Sequence, residues 1–442
     1  MTIKSEMKNP IKRIAVLGAG AAGLATAHTL NQESTSWEMT VFEQTSGVGG
    51  TWQYEDTKNS TVHLPSTLPL GENSQFLDKG SIYESLQTNI PAPVMCFQGF
   101  PFPEGTPLFP DHSTVLKYLR EFAENQGILP SIKFNTKVLD VYWDQDKWKC
   151  VYVQQGEETT CEYFDAVIVC NGHYTVPYVP DVPGLKEFVK ANPDRVSHSR
   201  QYKKPQGYVD QSVLVIGGGY SGLEIAREIT FHADKVYQSV TEKGRPVDTS
   251  EGSGVNPSKI RTVTKVVQFD AENDTIHFDD GTKLDRIPDH IIFATGYLYS
   301  FPFISQLCTD DEEFIKKEKI LTNGFKVHNI YEQIFYIPNP TLSFVGLPNK
   351  VAPFPLFQYQ ATLISKVLSG KVSLPSAEEM LCSYQQESSE WKGKKFHVFR
   401  TREVDYCNRI SEYTNGAVPQ VPEWWAEMRP KAHKMRVKEL GH

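Results

Sequence analysis

The stretch that decides the fold of this chain is Arg13-Ile-Ala-Val-Leu-Gly-Ala-Gly-Ala-Ala-Gly-Leu-Ala-Thr-Ala-His-Thr-Leu30. Its apolar run from Ile14 to Leu17 predicts a buried parallel strand. The small residues after the glycines predict a helix that packs closely on the sheet. Met39-Thr-Val-Phe-Glu43 then predicts a second strand. Together these elements form one βαβ unit of about 30 residues.

Three glycines stand at the turn between the first strand and the helix. Gly18 allows the tight turn, Gly20 lets a pyrophosphate approach the backbone, and Gly23 lets helix and strand pack closely. A helix N-terminus favours an anion, because its first N–H groups have no partner inside the helix. Glu43 follows about 20 residues later, where its carboxylate could accept the ribose hydroxyls of an adenosine. We therefore predict a dinucleotide site here, with a ligand-free glycine turn as the alternative. The predicted loop contacts are Gly18, Ala19, Gly20, Ala21, Ala22 and Gly23.

Bare backbone and a flat side chain follow directly, in Gly47-Val-Gly-Gly-Thr-Trp52. Gly49 and Gly50 have no side chain that could block a ligand, and Trp52 offers a flat apolar surface. The combination suits a large flat ring such as an isoalloxazine better than a nicotinamide. The alternative is a surface turn with one tryptophan in the core.

The strand, glycine and helix pattern recurs in the second half of the chain. Ser212-Val-Leu-Val-Ile216 predicts another buried strand, and Gly217, Gly219 and Gly222 repeat the glycine spacing. A single doubly wound sheet does not normally carry two such openings, so we predict two nucleotide-binding domains. The boundaries that we expect are 1–175 for the first part of domain one, 176–297 for an inserted second domain, and 298–442 for the return. The end of the chain, from about Ala377, should add helices to domain one.

The second unit differs from the first in its charges. Aligning Val236-Tyr-Gln-Ser239 with Val41-Phe-Glu-Gln44 puts Gln238 at the position of Glu43. Loss of a carboxylate there favours NADP over NAD, and Lys243 and Arg245 could pair with the 2′-phosphate. In a different register Glu242 would be the ribose ligand, which would favour NAD. The alternative for Lys243 and Arg245 is a solvated loop.

Composition narrows the class of protein. The chain has 442 residues, of which 39% are hydrophobic and 22% charged, so it is neither disordered nor fibrous. With a net charge of −8, the chain lacks the excess of basic residues that is typical of a nucleic-acid-binding protein. No apolar run approaches the roughly 18 residues of a membrane span, and residues 1–13 lack the apolar core of a signal peptide.

The cysteines predict the compartment. Their number is seven and no CxxC pair occurs, so we expect no disulfide framework and no metal site. A reducing compartment follows, and we predict a cytoplasmic protein; peripheral membrane association stays open. Two nucleotide sites without basic or membrane features indicate small-molecule partners, and a homo-oligomer stays possible.

With these motifs together, the chain resembles the flavin-containing monooxygenases of the class B type, which carry two dinucleotide-binding domains, and especially the fungal members. The resemblance covers residues from about 12 to 375. The motifs that carry it are Gly18–Gly23, Gly49–Trp52, Leu86-Gln-Thr-Asn89, Val169-Cys-Asn-Gly-His173, Gly217–Gly222, Phe293-Ala-Thr-Gly-Tyr297, Val327-His-Asn-Ile-Tyr331 and Pro340–Gly346.

This resemblance implies an α/β fold of two Rossmann-like domains, with the NADP domain inserted into the FAD domain. It implies an enzyme of the N,N-dimethylaniline monooxygenase type, in which NADPH reduces FAD and dioxygen forms a flavin C4a-hydroperoxide. A soft nucleophile, an amine nitrogen or a sulfur, then takes the distal oxygen. Asn89 would be the catalytic residue, because its amide could bridge flavin, nicotinamide and peroxide.

The resemblance also implies further cofactor contacts. Gly50, Thr51, Trp52 and Thr88 would lie beside the flavin, and Val138 would contact adenine. The remaining expected contacts are Gly217, Gly219, Tyr220, Ser221 and Gly222 at the NADP pyrophosphate, and Gln360, with its neighbour Gln358, at the flavin pyrimidine edge.

One motif departs from the family. In the motif FxGxxxHxxx that ends in Tyr or Phe, Asn192 and Asp194 replace the Phe and Gly, whereas His198 and Tyr202 keep their spacing. Tyr202 stands where Baeyer–Villiger enzymes typically have Trp, which favours heteroatom oxygenation. The alternatives are a Baeyer–Villiger monooxygenase, an uncoupled NADPH oxidase, and a non-catalytic nucleotide-binding redox sensor. A disulfide reductase is disfavoured, because no CxxxxC pair follows the first βαβ unit.

Overall fold

Two large sheets, one mixed and one parallel, organise the chain in a computed structural model that describes residues 10–34, 36–56, 62–75, 81–241, 244, 246–250, 253, 255–309 and 318–440. Each sheet belongs to one of two compact units. The first unit comprises residues 1–53, 87–173 and 299–434, and the second comprises 54–86, 174–298 and 435–442. The predicted α/β fold with two Rossmann-like domains is confirmed; the domain boundaries given above stay a prediction.

The first unit has the following elements. Its strands are β1 (Arg13–Leu17), β2 (Glu38–Phe42), β3 (Ile132–Lys133), β4 (Thr136–Asp144), β5 (Lys147–Gln154), β6 (Thr160–Phe164), β7 (Ala166–Val169), β18 (Ile330–Tyr331), β19 (Phe335–Tyr336) and β20 (Leu342–Phe344). Its helices are α1 (Ala21–Glu33), α2 (Ala92–Met95), α3 (His112–Asn125), α6 (Pro353–Leu368), α7 (Ala377–Glu390), α8 (Glu403–Tyr413) and the larger part of α9 (Glu423–Leu440).

The seven-stranded sheet of this unit has the order β18-β19-β20-β7-β1-β2-β3. Strand β1 pairs in parallel with β2 on one side and β7 on the other, which explains its unbroken apolar run. Because side chains alternate along a strand, Ile14 and Val16 join one apolar core while Ala15 and Leu17 join another. Helix α1 packs against α6, and its alanines allow the close approach.

The second unit repeats the plan. Its strands are β8 (Val176–Pro177), β9 (Val196–His198), β10 (Ser212–Ile216), β11 (Lys235–Ser239), β12 (Ile260–Val263), β13 (Val266–Asp270), β14 (Thr275–Phe278), β15 (Lys283–Leu284), β16 (His290–Phe293) and β17 (Tyr297–Leu298), and its helices are α4 (Leu185–Ala191) and α5 (Tyr220–Ile229). Its five-stranded parallel sheet has the order β12-β11-β10-β16-β9. Here too β10 alternates between two cores, with Val213 in one and Leu214 in the other.

The C-terminal part of the chain is helical, as its charged and aromatic sequence predicted. Helices α7 and α8 lie wholly in the first unit, whereas α9 begins there and its residues from Met435 onward belong to the second. Across the described residues, none of the helices combines the length with the apolar content that a bilayer crossing requires.

A cluster of side chains around Glu162 of β6 makes the stability of the first unit sensitive to acid. Glu162 accepts hydrogen bonds from Lys133 at 2.5 Å, Arg13 at 2.6 Å and Tyr152 at 2.7 Å. Burial alone would raise the pKa of Glu162, but these hydrogen bonds lower it to about 2. A carboxyl whose pKa is lower in the folded state stabilises the fold above its ordinary pKa of 4.5 and stops doing so as the pH falls towards 2.

We therefore expect Glu162→Gln to reduce the pH dependence of folding. The free energy of unfolding, measured by urea titration at several pH values, should fall less for this variant than for wild type between pH 4.5 and 2. Glu158→Gln is the control and should behave like wild type, because Glu158 is exposed and lies two residues before β6 begins at Thr160. Identical pH profiles for Glu162→Gln and wild type would show that the cluster does not have this role.

Candidate functional site

The first glycine loop is shaped partly by packing. Gly18 has a φ of +108°, and a Cβ there would lie 2.7 Å from the carbonyl oxygen of Cys170. A Cβ at Gly23 would lie 1.8 Å from the carbonyl oxygen of Gly18, where helix α1 crosses the end of β1. Both positions exclude any side chain, so these two glycines are explained by the turn and by helix packing without a ligand.

Gly20 is different, because packing does not require a glycine there. A Cβ at this position meets Gly50 Cα at 3.5 Å, which is ordinary van der Waals contact. Gly20 is the N-cap of α1, no side chain caps that helix end, and its first turn contains no acidic residue. A bare, uncharged helix N-terminus fits the pyrophosphate of a dinucleotide, which a side chain at Gly20 would displace.

Glu43 lies at the predicted place, directly after β2, and is buried. One carboxylate oxygen accepts the backbone N–H of Ala19 at 2.8 Å. The other accepts the Thr45 N–H at 2.9 Å and its hydroxyl at 2.8 Å. An ionised carboxylate has about four acceptor positions, so about one remains for a ribose hydroxyl. Glu43 thus ties the strand end to the glycine loop and keeps a smaller ligand-binding capacity than the sequence suggested.

The segment from Gly47 to Trp52 folds against this loop. The Gly49 N–H donates to the carbonyl oxygen of Ala19 at 3.1 Å, and a Cβ at Gly50 would lie 3.0 Å from Gly20 Cα. Thr51 is exposed, and Trp52 is half-buried with its ring edge-on to Phe354 at 6.4 Å. The structure therefore brings Gly50, Thr51 and Trp52 together with the first glycine loop.

Gln53 is a residue of this segment that the sequence did not indicate. Its buried side chain donates to the Thr45 hydroxyl at 3.2 Å and to the Gly47 carbonyl at 3.0 Å. It thereby fixes the loop that precedes Trp52. Its only sequence signal is its place directly after a glycine-rich segment, and a polar residue there is most simply assigned to solvent.

Thr88 and Asn89 precede the short helix α2 in the same unit. The Thr88 N–H donates to the Pro110 carbonyl at 2.9 Å, and Thr88 is buried. Asn89 is half-buried, and its amide forms no hydrogen bond with any described residue. The N-cap of α2 is Pro91, so Asn89 does not serve as the cap. A fixed backbone thus carries an amide whose donors and acceptor are available to a ligand.

Val138 and Gln360 are placed less simply. Val138 is half-buried on β4, beside a bulge between Val138 and Asp140. Gln360 is fully buried in α6; its amide oxygen accepts the Gly346 N–H at 2.9 Å and its nitrogen donates to the Tyr406 hydroxyl at 2.9 Å. Gln358 likewise accepts the Gln98 N–H at 2.6 Å. These amides brace α6 against the rest of the unit, and their contact with a flavin stays a prediction.

The second glycine loop repeats the first. A Cβ at Gly217 would lie 2.3 Å from the Ala294 carbonyl oxygen, and one at Gly222 would lie 2.2 Å from that of Gly217. Gly219, by contrast, has no atom within 4 Å of an added Cβ. It is the N-cap of α5, which has no side-chain cap and no acidic residue in its first turn. Tyr220 and Ser221 are exposed at this helix start, which again fits an anionic ligand.

The strand register corrects our alignment of the two units. Leu17 pairs with Phe42, so Glu43 follows the pair; Ile216 pairs with Ser239, so Val240 follows. Val240, and not Gln238, therefore occupies the position of Glu43. The alignment was wrong because matching Val236 to Val41 shifted it by two residues, which preserves the alternation of side chains and so leaves the pattern unchanged. The charge argument survives, since Val240 carries no carboxylate either.

Gln238 itself has a packing role. It is buried, and its amide oxygen accepts the Val247 N–H at 2.8 Å. Lys243 and Arg245, which we predicted at the 2′-phosphate, and Glu242 lie outside the described residues.

His198 is a buried scaffold residue of the second unit. Its Nδ1 accepts the Arg200 N–H at 3.1 Å, which leaves Nε2 to donate to the Gly296 carbonyl at 3.1 Å. Burial lowers the pKa of His198 to about 3, so the ring is neutral. Its partners fix both ring nitrogens and leave none for catalysis.

Two Rossmann-like units, each with a glycine loop at an uncapped helix start, define a protein with two dinucleotide sites. The family described as flavin-binding monooxygenase-like (FMO-like) matches residues 11–269 and 255–431. The chain is 35% identical over 427 residues to the flavin-containing monooxygenase FMO GS-OX5 of Arabidopsis thaliana, covering 92% of this chain and 85% of that one. It is 33% identical over 366 residues to a thiol-specific monooxygenase of Saccharomyces cerevisiae, covering 81% and 77%.

A solved structure agrees. The S-allyl-L-cysteine S-oxygenase from Allium sativum superposes with a TM-score of 0.81 at 30% identity, covering 97% of this chain and 93% of that one. The chain therefore belongs to the flavin-containing monooxygenase family, as the motifs predicted. It is a flavoprotein monooxygenase whose cofactors are FAD and NADP and whose co-substrates are dioxygen and a small molecule.

Proposed function

We propose that this monooxygenase uses NADPH and dioxygen to oxygenate a soft nucleophile, a sulfur or an amine nitrogen. When bound, the flavin would supply the redox chemistry: uptake of a hydride from NADPH and, through a C4a-hydroperoxide, transfer of one oxygen atom of dioxygen to the substrate and release of the other as water. The protein supplies binding, orientation and the exclusion of water.

The observation that carries the proposal is shared by the two glycine loops. In each, two glycines are required by packing and the middle one, Gly20 or Gly219, is not. Each middle glycine is the N-cap of a helix without a side-chain cap or an acidic first turn. A bare backbone that packing does not need is explained by a phosphate that lies against it.

The first unit would hold FAD. Gly20 and the start of α1 would receive its pyrophosphate, and Glu43 would accept one ribose hydroxyl. Trp52, which the loop packing brings beside these residues, would lie against the ring system. The second unit would hold NADP at Gly219, Tyr220 and Ser221. The absence of a carboxylate at Val240 favours the 2′-phosphorylated dinucleotide.

Asn89 would be the catalytic residue. Its amide has two donors and one acceptor, and none of them is engaged with a described residue. Such an amide can hold a hydrogen bond to the oxygen-bearing cofactor and keep it from losing peroxide. The buried Thr88 and the Pro91 cap of α2 hold the backbone on either side of it.

Sulfur is the nucleophile that the relatives favour. One is named a thiol-specific monooxygenase and another an S-allyl-L-cysteine S-oxygenase. Tyr202, where Baeyer–Villiger enzymes typically have Trp, also favours heteroatom oxygenation. Structures of cyclohexanone monooxygenase match at 14% identity, which reflects the shared fold and carries no activity across.

Product analysis tests the proposal. The FAD-loaded protein is incubated with NADPH, air and a panel of thiols, sulfides, amines and cyclic ketones, while NADPH loss, peroxide and products are measured together. We expect the oxygenated sulfur or nitrogen compound in nearly one-to-one ratio with NADPH. Lactone from the ketones would favour the Baeyer–Villiger alternative, and peroxide without product would favour the oxidase. A protein that stays colourless in excess FAD would contradict the whole proposal.

A further inference from the structure

A buried ion pair lies on the helix of the second glycine loop. Glu224 is in the second turn of α5, and its side chain is 15% exposed. One of its carboxylate oxygens pairs with the guanidinium of Arg436 at 2.8 Å, and the Arg436 side chain is only 5% exposed. The other oxygen accepts the hydroxyl of Tyr83. All three residues belong to the second unit.

A second carboxylate lies one turn further along the same face. Glu228 accepts the hydroxyl of Tyr202 at 2.7 Å, and the rings of Tyr83 and Tyr202 meet edge to face at 5.7 Å. Two glutamates at positions i and i+4 repel each other, so a cation beside them stabilises this helix face. Arg227 lies on the same helix, and it donates to the Ser253 carbonyl at 3.5 Å. The cation that pairs directly with Glu224 is Arg436.

Glu224 lies close to the start of α5, where we propose that the NADP phosphates bind. Glu224 is five residues past the N-cap Gly219, or about 7.5 Å along the helix axis. This is within the Debye length at physiological salt, and the buried side chain is screened less than a surface charge. Burial raises the pKa of Glu224, and the charge of Arg436 opposes that effect, because it favours the ionised carboxylate and compensates its charge. An ionised Glu224 without this compensation would oppose an anion at the helix start.

We propose that Arg436 is a positioning residue for the second dinucleotide: by compensating Glu224, it preserves the anion-attracting end of α5 for the NADP phosphates. The inference rests on the proposed assignment of NADP to this loop. It gives the C-terminal end of the chain a role in cofactor affinity, although no glycine motif lies in that part of the sequence.

The test is calorimetric titration of NADP⁺ into the FAD-loaded protein. Arg436→Met should weaken NADP⁺ binding by about tenfold, which corresponds to about 1.4 kcal/mol. Arg436→Lys, which keeps the charge, should stay within about threefold of wild type. The double variant Arg436→Met/Glu224→Gln should recover most of the affinity, because neither charge is then left unpaired. In turnover the Michaelis constant for NADPH should rise in Arg436→Met while kcat stays near wild type.

A matched control separates this role from general loss of positive charge. Lys438→Met removes a charge from an exposed position on the same helix and should bind NADP⁺ like wild type. Flavin content and thermal unfolding show whether each variant is folded. If Arg436→Met does not fold, Glu224→Gln alone decides: it should bind NADP⁺ at least as tightly as wild type.

The outcomes that overturn the inference are distinct. Unchanged NADP⁺ affinity in a folded Arg436→Met protein would contradict the inference. Weaker NADP⁺ binding in Glu224→Gln would contradict it too. A double variant that stays as weak as Arg436→Met would show a packing role instead of an electrostatic one. If the wild-type protein itself does not bind NADP⁺, the proposed function is contradicted. That result can be told apart from a failure of the inference about Arg436, in which wild type binds NADP⁺ normally.

Discussion

Gly20→Val is expected to give a folded protein that has lost essentially all of its FAD. The first added carbon meets Gly50 Cα at 3.5 Å and Gly50 N at 3.9 Å, both ordinary van der Waals contacts, so packing tolerates it. The two methyl groups beyond it would occupy the space at the start of α1 that we assign to the flavin pyrophosphate. The purified variant should lack flavin absorbance, even after incubation with excess FAD. Its circular dichroism and thermal transition should match those of wild type stripped of flavin.

Two other glycines make this result interpretable. Gly23→Ala places a carbon 1.8 Å from the Gly18 carbonyl oxygen, so it should destabilise the fold itself as well as remove the flavin. Gly207→Val, at an exposed position with no atom within 4 Å of the added Cβ, should keep both fold and flavin. A yellow Gly20→Val protein with one FAD per chain would contradict the assignment of the loop.

Asn89→Ala should retain FAD and lose oxygenation. The Asn89 amide has no partner among the described residues, so its removal leaves no buried group unsatisfied and should cost little stability. If the amide holds the oxygen-bearing cofactor, product per NADPH should fall by about tenfold or more. The missing product should appear as hydrogen peroxide.

The measurement is the ratio of product, peroxide and NADPH in one reaction. Asn89→Ser should behave like the alanine variant, because a hydroxyl cannot replace both amide groups. Asn125→Ala, at the exposed end of α3, is the matched control and should keep the wild-type ratio. Full product yield per NADPH in Asn89→Ala would exclude the proposed role.

The elements that a sequence predicts best are those with local causes. Ile14 to Leu17 are apolar because β1 lies between two parallel neighbours, and Gly18 and Gly23 are glycine because carbonyl oxygens lie where a Cβ would be. The pairing with β2 and the contact of Gly23 with Gly18 lie within one βαβ unit, whereas β7 and Cys170 come from much further along the chain. The apolar and glycine pattern of the unit alone still indicates the fold and the loop.

The features that escaped prediction depend on residues far apart in the chain. The amide of Gln360 is engaged by Gly346 and Tyr406, and nothing near residue 360 in the sequence indicates those partners. The pairing of Arg436 with Glu224 spans most of the second half of the sequence. Placing Gln238 instead of Val240 at the position of Glu43 was a register error of two residues. The alternation of side chains along a strand has a period of two, so it cannot detect such an error.

The interleaving of the two units has a consequence for how this protein is made. One of the two parallel partners of β7 is β20, so the central sheet of the first unit stays incomplete until Leu342–Phe344 leave the ribosome. The inserted second unit lacks only its last few residues well before that point. Nascent chains should therefore expose the edge of β7 for much of synthesis, a stage at which unpaired strands are prone to aggregate. Isolated N-terminal fragments that end before residue 342 should be poorly soluble for the same reason.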